Sequence, residues 1–216
     1  MKIGASFLGS KNIPLVLEQL NVTDVDYIHV DVMDGKYVKK KTMSLGDLAC
    51  ITNFTRKRLD IHLMVNKPLK YLKTIVNLNV EYVDIHLNIK ENIDKVIEKY
   101  KQYGIKIGIA LNPDQELEEV YPYLDKIDLI LIMSVYPGLP GQEFIPETIL
   151  KVKELKDYLK KEKKNIYINV DGGINFLNVK DLKDADIIVS GSTILKSDNY
   201  QDAITKLRKC GNICQK

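Results

Sequence analysis

The stretch from Ile28 to Val38, I-H-V-D-V-M-D-G-K-Y-V, decides the reading of this chain. Strand side chains alternate with a period of two. An extended segment here therefore places Ile28, Val30 and Val32 on one face and His29, Asp31 and Met33 on the other. Asp34-Gly35 is a turn signal, so the polar set sits close to the carboxyl end of the strand. An imidazole and a carboxylate two residues apart can reach one metal ion or one substrate atom. Taken alone, a His-x-Asp pair is better read as a solvated outer face, because metal and catalytic uses need further partners.

Those partners lie downstream. The run L-D-I-H-L-M-V at Leu59 sets Asp60, His62 and Met64 against Leu59, Ile61 and Leu63. Farther on, Tyr82, Asp84, His86 and Asn88 alternate with Val83, Ile85 and Leu87, and Tyr167, Asn169 and Asp171 alternate with Ile166, Ile168 and Val170. A parallel strand buried on both faces is expected to be apolar throughout, so these polar sets call for a second explanation. All three histidines of the chain fall at such positions.

Around these runs, β-type segments alternate with amphipathic helical ones from end to end, the pattern of βα units building a parallel sheet. Eight strands are predicted: Lys2 to Ser6, Tyr27 to Val32, Leu59 to Met64, Val80 to His86, Lys106 to Leu111, Leu129 to Ser134, Ile166 to Asp171 and Ile187 to Gly191. Pro68 and Pro146 read as helix openers, the second leading into Ile149, Val152, Leu155 and Leu159 at helical spacing. Gly104 reads as the end of a helix bearing Ile93, Val96, Ile97 and Tyr100. Eight such units in 216 residues, with no G-x-G-x-x-G after the first strand, predict an α/β protein: a single (β/α)8 TIM barrel spanning residues 1–216. In that fold the apolar sets face the helices, and the polar sets face the axis and meet at the carboxyl end, where barrel enzymes keep their active sites.

Composition narrows the function class. The 32 basic and 29 acidic residues are scattered, without a basic tail, which argues against a nucleic-acid partner. Cys50, Cys210 and Cys214 lack metal-ligand spacing and are expected to be reduced thiols of a cytoplasmic protein. No run is long and apolar enough for a membrane span or a signal peptide, so no membrane partner is expected.

Two loops suggest a phosphate. Gly172-Gly173 follows the seventh predicted strand and Gly191-Ser192 the eighth, the places where many barrels grip a phosphate with backbone N–H groups. After the sixth strand comes M-S-V-Y-P-G-L-P-G-Q-E-F, from Met133 to Phe144, rich in Gly and Pro. It reads as a crossover loop or as a substrate lid.

With these motifs in hand, the chain resembles the ribulose-phosphate 3-epimerases of the pentose phosphate pathway. The resemblance rests on H-V-D-V-M-D-G-K-Y-V at His29, H-L-M-V-N-K-P at His62, P-G-L-P-G-Q-E-F at Pro137 and V-D-G-G-I at Val170. It implies a barrel of the ribulose-phosphate binding type. It also implies one divalent metal ion (zinc, iron, manganese or cobalt) on His29, Asp31, His62 and Asp171, with Asp31 and Asp171 as paired acid and base that invert C3 of a sugar phosphate through an enediolate. Further implied are substrate contacts from Ser6, His62, the loop Gly138, Leu139, Pro140 and Gly141, Asp171 with Gly172 and Gly173, and Gly191 with Ser192. The pocket lining is expected from Met33, Met64, Met133 and His86, although the methionines read equally well as core filler. A homo-oligomer is also expected.

The chain departs from that family's usual pattern in places. Tyr37-Val38-Lys39-Lys40 stands where F-V-P-N is common, Pro140 where Gly is, and Asn88 where an acidic residue is. None of these is an implied metal ligand. The related allulose-6-phosphate epimerases share most motifs and form one alternative, and a catalytically silent phosphosugar-binding barrel is another. A barrel decarboxylase would share the phosphate loops, but its D-x-K-x-x-D arrangement is read as absent.

Overall fold

The computed structural model describes residues 1–212. Eight parallel strands close into a barrel in sequence order: β1 (Lys2–Ser6), β2 (Tyr27–Met33), β3 (Leu59–Met64), β4 (Val80–His86), β5 (Lys106–Leu111), β6 (Leu129–Met133), β7 (Tyr167–Asp171) and β8 (Ile187–Ser190). Closure is made by β8 on β1, with Lys2 opposite Ile187 and Gly4 opposite Val189. The eight predicted strands are therefore all present, with ends displaced by one residue at most. Gly191, predicted as the last residue of β8, instead begins the helix that follows, at φ −103° and ψ −81°.

Among the described residues, seven helices surround the barrel: α1 (Ile13–Asn21), α2 (Leu45–Cys50), α3 (Leu72–Ile75), α4 (Ile93–Lys101), α5 (Thr148–Lys161), α6 (Ser192–Leu195) and α7 (Tyr200–Asn212). Their ends follow local chemistry. Asn92 caps α4 by accepting from the Lys95 N–H at 2.9 Å, Asp94 lies in its first turn and Lys99 and Lys101 in its last, matching the helix dipole. Gly104, at φ +73°, then turns the chain into β5. Two connections expected to be helical are shorter. Between β5 and β6 there are only 310 turns, Leu117–Glu119 and Tyr121–Tyr123, and between β7 and β8 only Val179–Asp181. Pro122 within the second turn lacks the N–H that a longer helix would require.

Strand alternation sorts the core into two parts. Ile28, Val30, Val32, Ile61, Leu63, Val83 and Ile85 point outward and pack with the helices in the larger apolar cluster. Inside the barrel, Tyr27, Tyr82, Leu129, Leu131 and Ile187 fill a smaller one. At the amino end of the barrel the rings of Tyr27 and Tyr82 meet edge to face at 5.8 Å, and Lys2 and Lys106 lie over Tyr27 and Tyr82. That end is plugged, so open space is confined to the carboxyl end. Truncating the fully buried Ile61 to Ala is expected to cost about 2–5 kcal/mol, enough to threaten a domain of ordinary stability.

Cys50 and Cys210 are free thiols; Cys214 lies outside the described residues. No described helix is long and apolar enough to cross a membrane.

Candidate active site

The whole of β2 is buried, and its inward set, His29, Asp31 and Met33, is pinned in register against β3: His29 pairs with Asp60, Asp31 with His62 and Met33 with Met64. Register alone thus brings two imidazoles and two carboxylates into neighbouring layers of the barrel. Asp171, at the carboxyl end of β7, completes the group from the far side. One donor atom from each of His29, Asp31, His62 and Asp171 lies within 4.8 Å of all the others.

The spacings inside this group suit an ion better than direct contact. His29 Nε2 is 3.6 Å from Asp31 Oδ1 and 3.7 Å from Asp171 Oδ2; His62 Nδ1 is 3.5 Å and 3.9 Å from the same two atoms. These separations exceed hydrogen-bond length, yet two metal–ligand bonds of roughly 2.1 Å meeting at one ion span them. Both nitrogens are buried and without a hydrogen-bond partner, a costly state that a cation relieves. The residues present therefore fit a divalent metal, with mixed imidazole and carboxylate donors.

Electrostatics split the two carboxylates. Burial raises Asp31, but His29 and His62 on either side outweigh it and hold the acid far below its usual range. Ser6 Oγ donates to Asp31 Oδ2 at 2.8 Å, fixing the carboxylate plane and leaving Oδ1 for the cluster. Asp171 is raised to about 6, first by burial and then by the Asp31 charge, with His29 and His62 opposing. One carboxylate is kept anionic and the other is readily protonated, the division of labour an acid/base pair needs.

Behind the cluster lies a polar layer. Asp60 Oδ2 lies 2.9 Å from His29 Nδ1 and accepts from Asn169 Nδ2 at 3.1 Å. Asp84 is fully buried beside Asp60, and burial together with that carboxyl group pushes it well above the carboxylate range. A Cβ at Gly108 would lie 1.9 Å from Asp84 Oδ1, so the glycine in the middle of β5 makes room for this acid. Asp60, Asp84 and Asn169 belong to the alternating polar sets in the sequence, but spacing alone gave them no role. The absent side chain at Gly108 was their one further signal.

Above the cluster is a cavity. Its wall includes Ser6, Asp31, Asp171, Met33, Met64 and Met133, the lid residues Gly138, Leu139, Pro140 and Gly141, and the glycine loops Gly172-Gly173 and Gly191-Ser192. The structure therefore gathers at one place every residue expected to touch substrate, apart from His62, which sits beneath the wall at full burial. His86 requires a correction: expected on the wall, it lies one layer behind. There its Nε2 is 2.8 Å from His62 Nε2, and its ring packs on that of Tyr37 at 4.7 Å between centroids. Tyr37 and His62 both lie against its ring, and burial together with His62 pushes it well below the ordinary imidazole range. Leu8, Val135, Tyr136, Gln142, Ile174 and Val189 also line the cavity; Val135, Tyr136, Gln142 and Ile174 lie within the quoted motifs without a contact having been expected of them individually.

Two loops shape the cavity. Gly172 and Gly173 have φ of +122° and +61°, and a Cβ on either would meet Val135 or the Phe144 backbone at 2.5 Å, so only glycine fits this turn. The loop from Met133 to Phe144 lies over the cavity: Gln142 Nε2 donates to the Tyr136 and Leu139 carbonyls, Pro140 packs on Gly9 and Gly138 on Val38. The space left beneath this loop is about 80 Å³, below the roughly 300 Å³ of an ordinary small-molecule site.

A second correction concerns D-x-K-x-x-D. The string does occur, at Asp181 to Asp186, but it precedes β8 at the amino end of the barrel. Asp186 there accepts from the Ile168 N–H and from Lys156 Nζ at 2.9 Å each, a structural task remote from the cavity.

Fold and site together define a (β/α)8-barrel enzyme with a carboxylate pair and a metal-competent cluster at the carboxyl end of its strands. Residues 2–195 match the Ribulose-phosphate 3 epimerase family, and the chain belongs to that family. It is 40% identical over 188 residues to the ribulose-phosphate 3-epimerase of Buchnera aphidicola subsp. Baizongia pistaciae, covering 85% of this chain and 82% of that one. To the ribulose-phosphate 3-epimerase of Helicobacter pylori strain J99 it is 35% identical over 210 residues, covering 96% and 97%. Among solved structures, 3-hexulose-6-phosphate synthase from Salmonella typhimurium superposes with a TM-score of 0.69 over 98% of both chains at 17% identity, a likeness of fold.

Proposed function

We propose that this protein, acting as one barrel domain, inverts C3 of D-ribulose 5-phosphate to give D-xylulose 5-phosphate. The observation that carries this reading is the pair Asp31 and Asp171. They rise from β2 and β7 into one cavity, with protonation tendencies driven apart. Epimerisation beside a ketone removes a proton from one face of the carbon and returns one to the other, and two carboxyl groups on separate strands suit that task. Asp31, anionic and steadied by Ser6, takes the C3 proton. Asp171, protonated, delivers one to the opposite face, and the roles exchange in the reverse direction.

His29, Asp31, His62 and Asp171 would hold a divalent cation: zinc, iron, manganese or cobalt. Such an ion would supply Lewis-acid charge that favours proton loss beside the ketone, an effect of several kcal/mol in order of magnitude. Met33, Met64 and Met133 flank the reacting plane and exclude water. The backbone N–H groups of Gly172-Gly173 and Gly191-Ser192 receive the phosphate, and Gly138 to Gly141 close over the sugar. We place this activity in the cytoplasm.

Side-by-side kinetics on ribulose 5-phosphate and allulose 6-phosphate tests the reading. The five-carbon substrate is expected to have the higher kcat/KM. A clear preference for allulose 6-phosphate transfers the protein to the sister activity with the same site. Absence of turnover on both makes it a silent phosphosugar-binding barrel.

A further inference from the structure

The two buried imidazoles of the cluster point different nitrogens at it. His29 turns Nε2 toward Asp31 and Asp171, while His62 turns Nδ1 toward the same pair, and these two nitrogens have no hydrogen-bond partner. The remaining nitrogen of each ring is engaged behind the cluster. His29 Nδ1 meets Asp60 Oδ2 at 2.9 Å, and His62 Nε2 meets His86 Nε2 at 2.8 Å. A neutral imidazole carries one N–H and one lone pair, and the hydrogen bond made by one nitrogen sets which the other presents.

We propose that Asp60 and His86 are positioning residues that impose opposite tautomers on His29 and His62, so that both rings offer a bare lone pair to the same point. Asp60, an acceptor only, requires the proton of His29 on Nδ1. With His62 Nδ1 turned to the cluster, the Nε2–Nε2 contact is made with the proton on His62 and the lone pair on His86. Each rear partner is itself held in place: Asn169 Nδ2 donates to the same Asp60 oxygen at 3.1 Å, and the ring of Tyr37 packs on His86. All the groups concerned except Tyr37 are fully buried, so water cannot substitute for either rear partner. The two rings differ in what stands behind them: a carboxyl group behind His29 and an imidazole behind His62.

This inference rests on the metal reading proposed above, and the test separates the two. Protein labelled with 15N in its histidines is loaded with zinc alone, and long-range 1H–15N spectra identify the metal-bound nitrogen of each ring. The expected wild-type result is one ring bound through Nε2 with a proton on Nδ1, and the other bound through Nδ1 with a proton on Nε2. Zinc-loaded protein with both rings bound through the same nitrogen overturns this proposal and leaves the metal site standing. Protein that takes up no zinc overturns both. For the variants, Asp60→Ala and His86→Leu are expected to weaken zinc binding about 10–100-fold, measured by competition with a chelator. His86→Gln, whose amide oxygen still accepts a hydrogen bond, is expected to recover most of that loss; equal loss in His86→Gln and His86→Leu counts against the tautomer role. The wild-type spectrum decides the matter even if a variant fails to fold.

Discussion

Ser6 Oγ donates to Asp31 Oδ2 at 2.8 Å, across the seam between β1 and β2, and this bond aims the other carboxylate oxygen at the cluster. Ser6→Ala removes a donor to a charged group inside a buried site. The expected result is a loss of about ten-fold in kcat/KM, corresponding to roughly 1.4 kcal/mol, with metal content and unfolding midpoint little changed. Unaltered kcat/KM in steady-state assays would show that Asp31 is oriented without Ser6.

Asp31 and Asp171 sit on strands far apart around the barrel, which leads to a labelling prediction. In D2O the wild-type enzyme is expected to place deuterium at C3 of the epimerised sugar, because the returning proton comes from the second carboxyl group. Asp171→Asn is expected to stop epimerisation while Asp31 still exchanges the proton on its own face of the substrate. Metal content is measured on the same sample, since Asp171 is also a proposed ligand. Metal-loaded Asp171→Asn protein that interconverts the epimers at near wild-type rate removes Asp171 from the role of acid.

The metal reading predicts that protein purified without added metal retains a divalent ion by elemental analysis. His62→Ala deletes one of two imidazole donors and orphans His86 behind it, so bound metal is expected to fall well below one equivalent. Unchanged metal content in His62→Ala, or full activity in metal-free protein, contradicts the assignment.

A stability prediction comes from the turn after β2. Burial raises Asp34, but its carboxylate accepts from the backbone N–H groups of Tyr37 at 2.9 Å, Lys36 at 2.8 Å and Asn66 at 3.1 Å, and the net effect holds it below its usual range. A depressed acid contributes stability above its unfolded pKa, near 3.9, and loses it as pH falls through the folded value. Asp34→Ala is therefore expected to be destabilised by about 1 kcal/mol at pH 7, a figure that allows for solvent screening, with the gap to wild type shrinking as pH falls below ~4. Urea unfolding at several pH values measures this. A gap that widens in acid contradicts the sign.

Much of the fold was legible because strand alternation is a local property. In β2, β3, β4 and β7 the period of two separated an outward apolar set from an inward polar one, and the glycine loops after β7 and β8 marked the end at which the polar sets meet. The interior of β5 and β6 was less readable. Both are apolar on each face, and Gly108 carries meaning only once Asp84 is known to press against it. Likewise, D-x-K-x-x-D at Asp181 to Asp186 carries no catalytic meaning, because its position before β8 at the amino end keeps it from the cavity.

By itself, then, the sequence determined which side chains face the axis and at which end of each strand they stand, since backbone geometry and side-chain volume fix these within a few residues. Only the tertiary structure decided the order in depth: His62 beneath the wall, His86 behind it, and Asp60 behind His29. It also decided which nitrogen each ring turns forward. Those choices depend on Asn169, brought to Asp60 from 109 residues away, and on Tyr37 packed against His86. Ring orientation is set by the partners that barrel closure supplies, and no local periodicity records them.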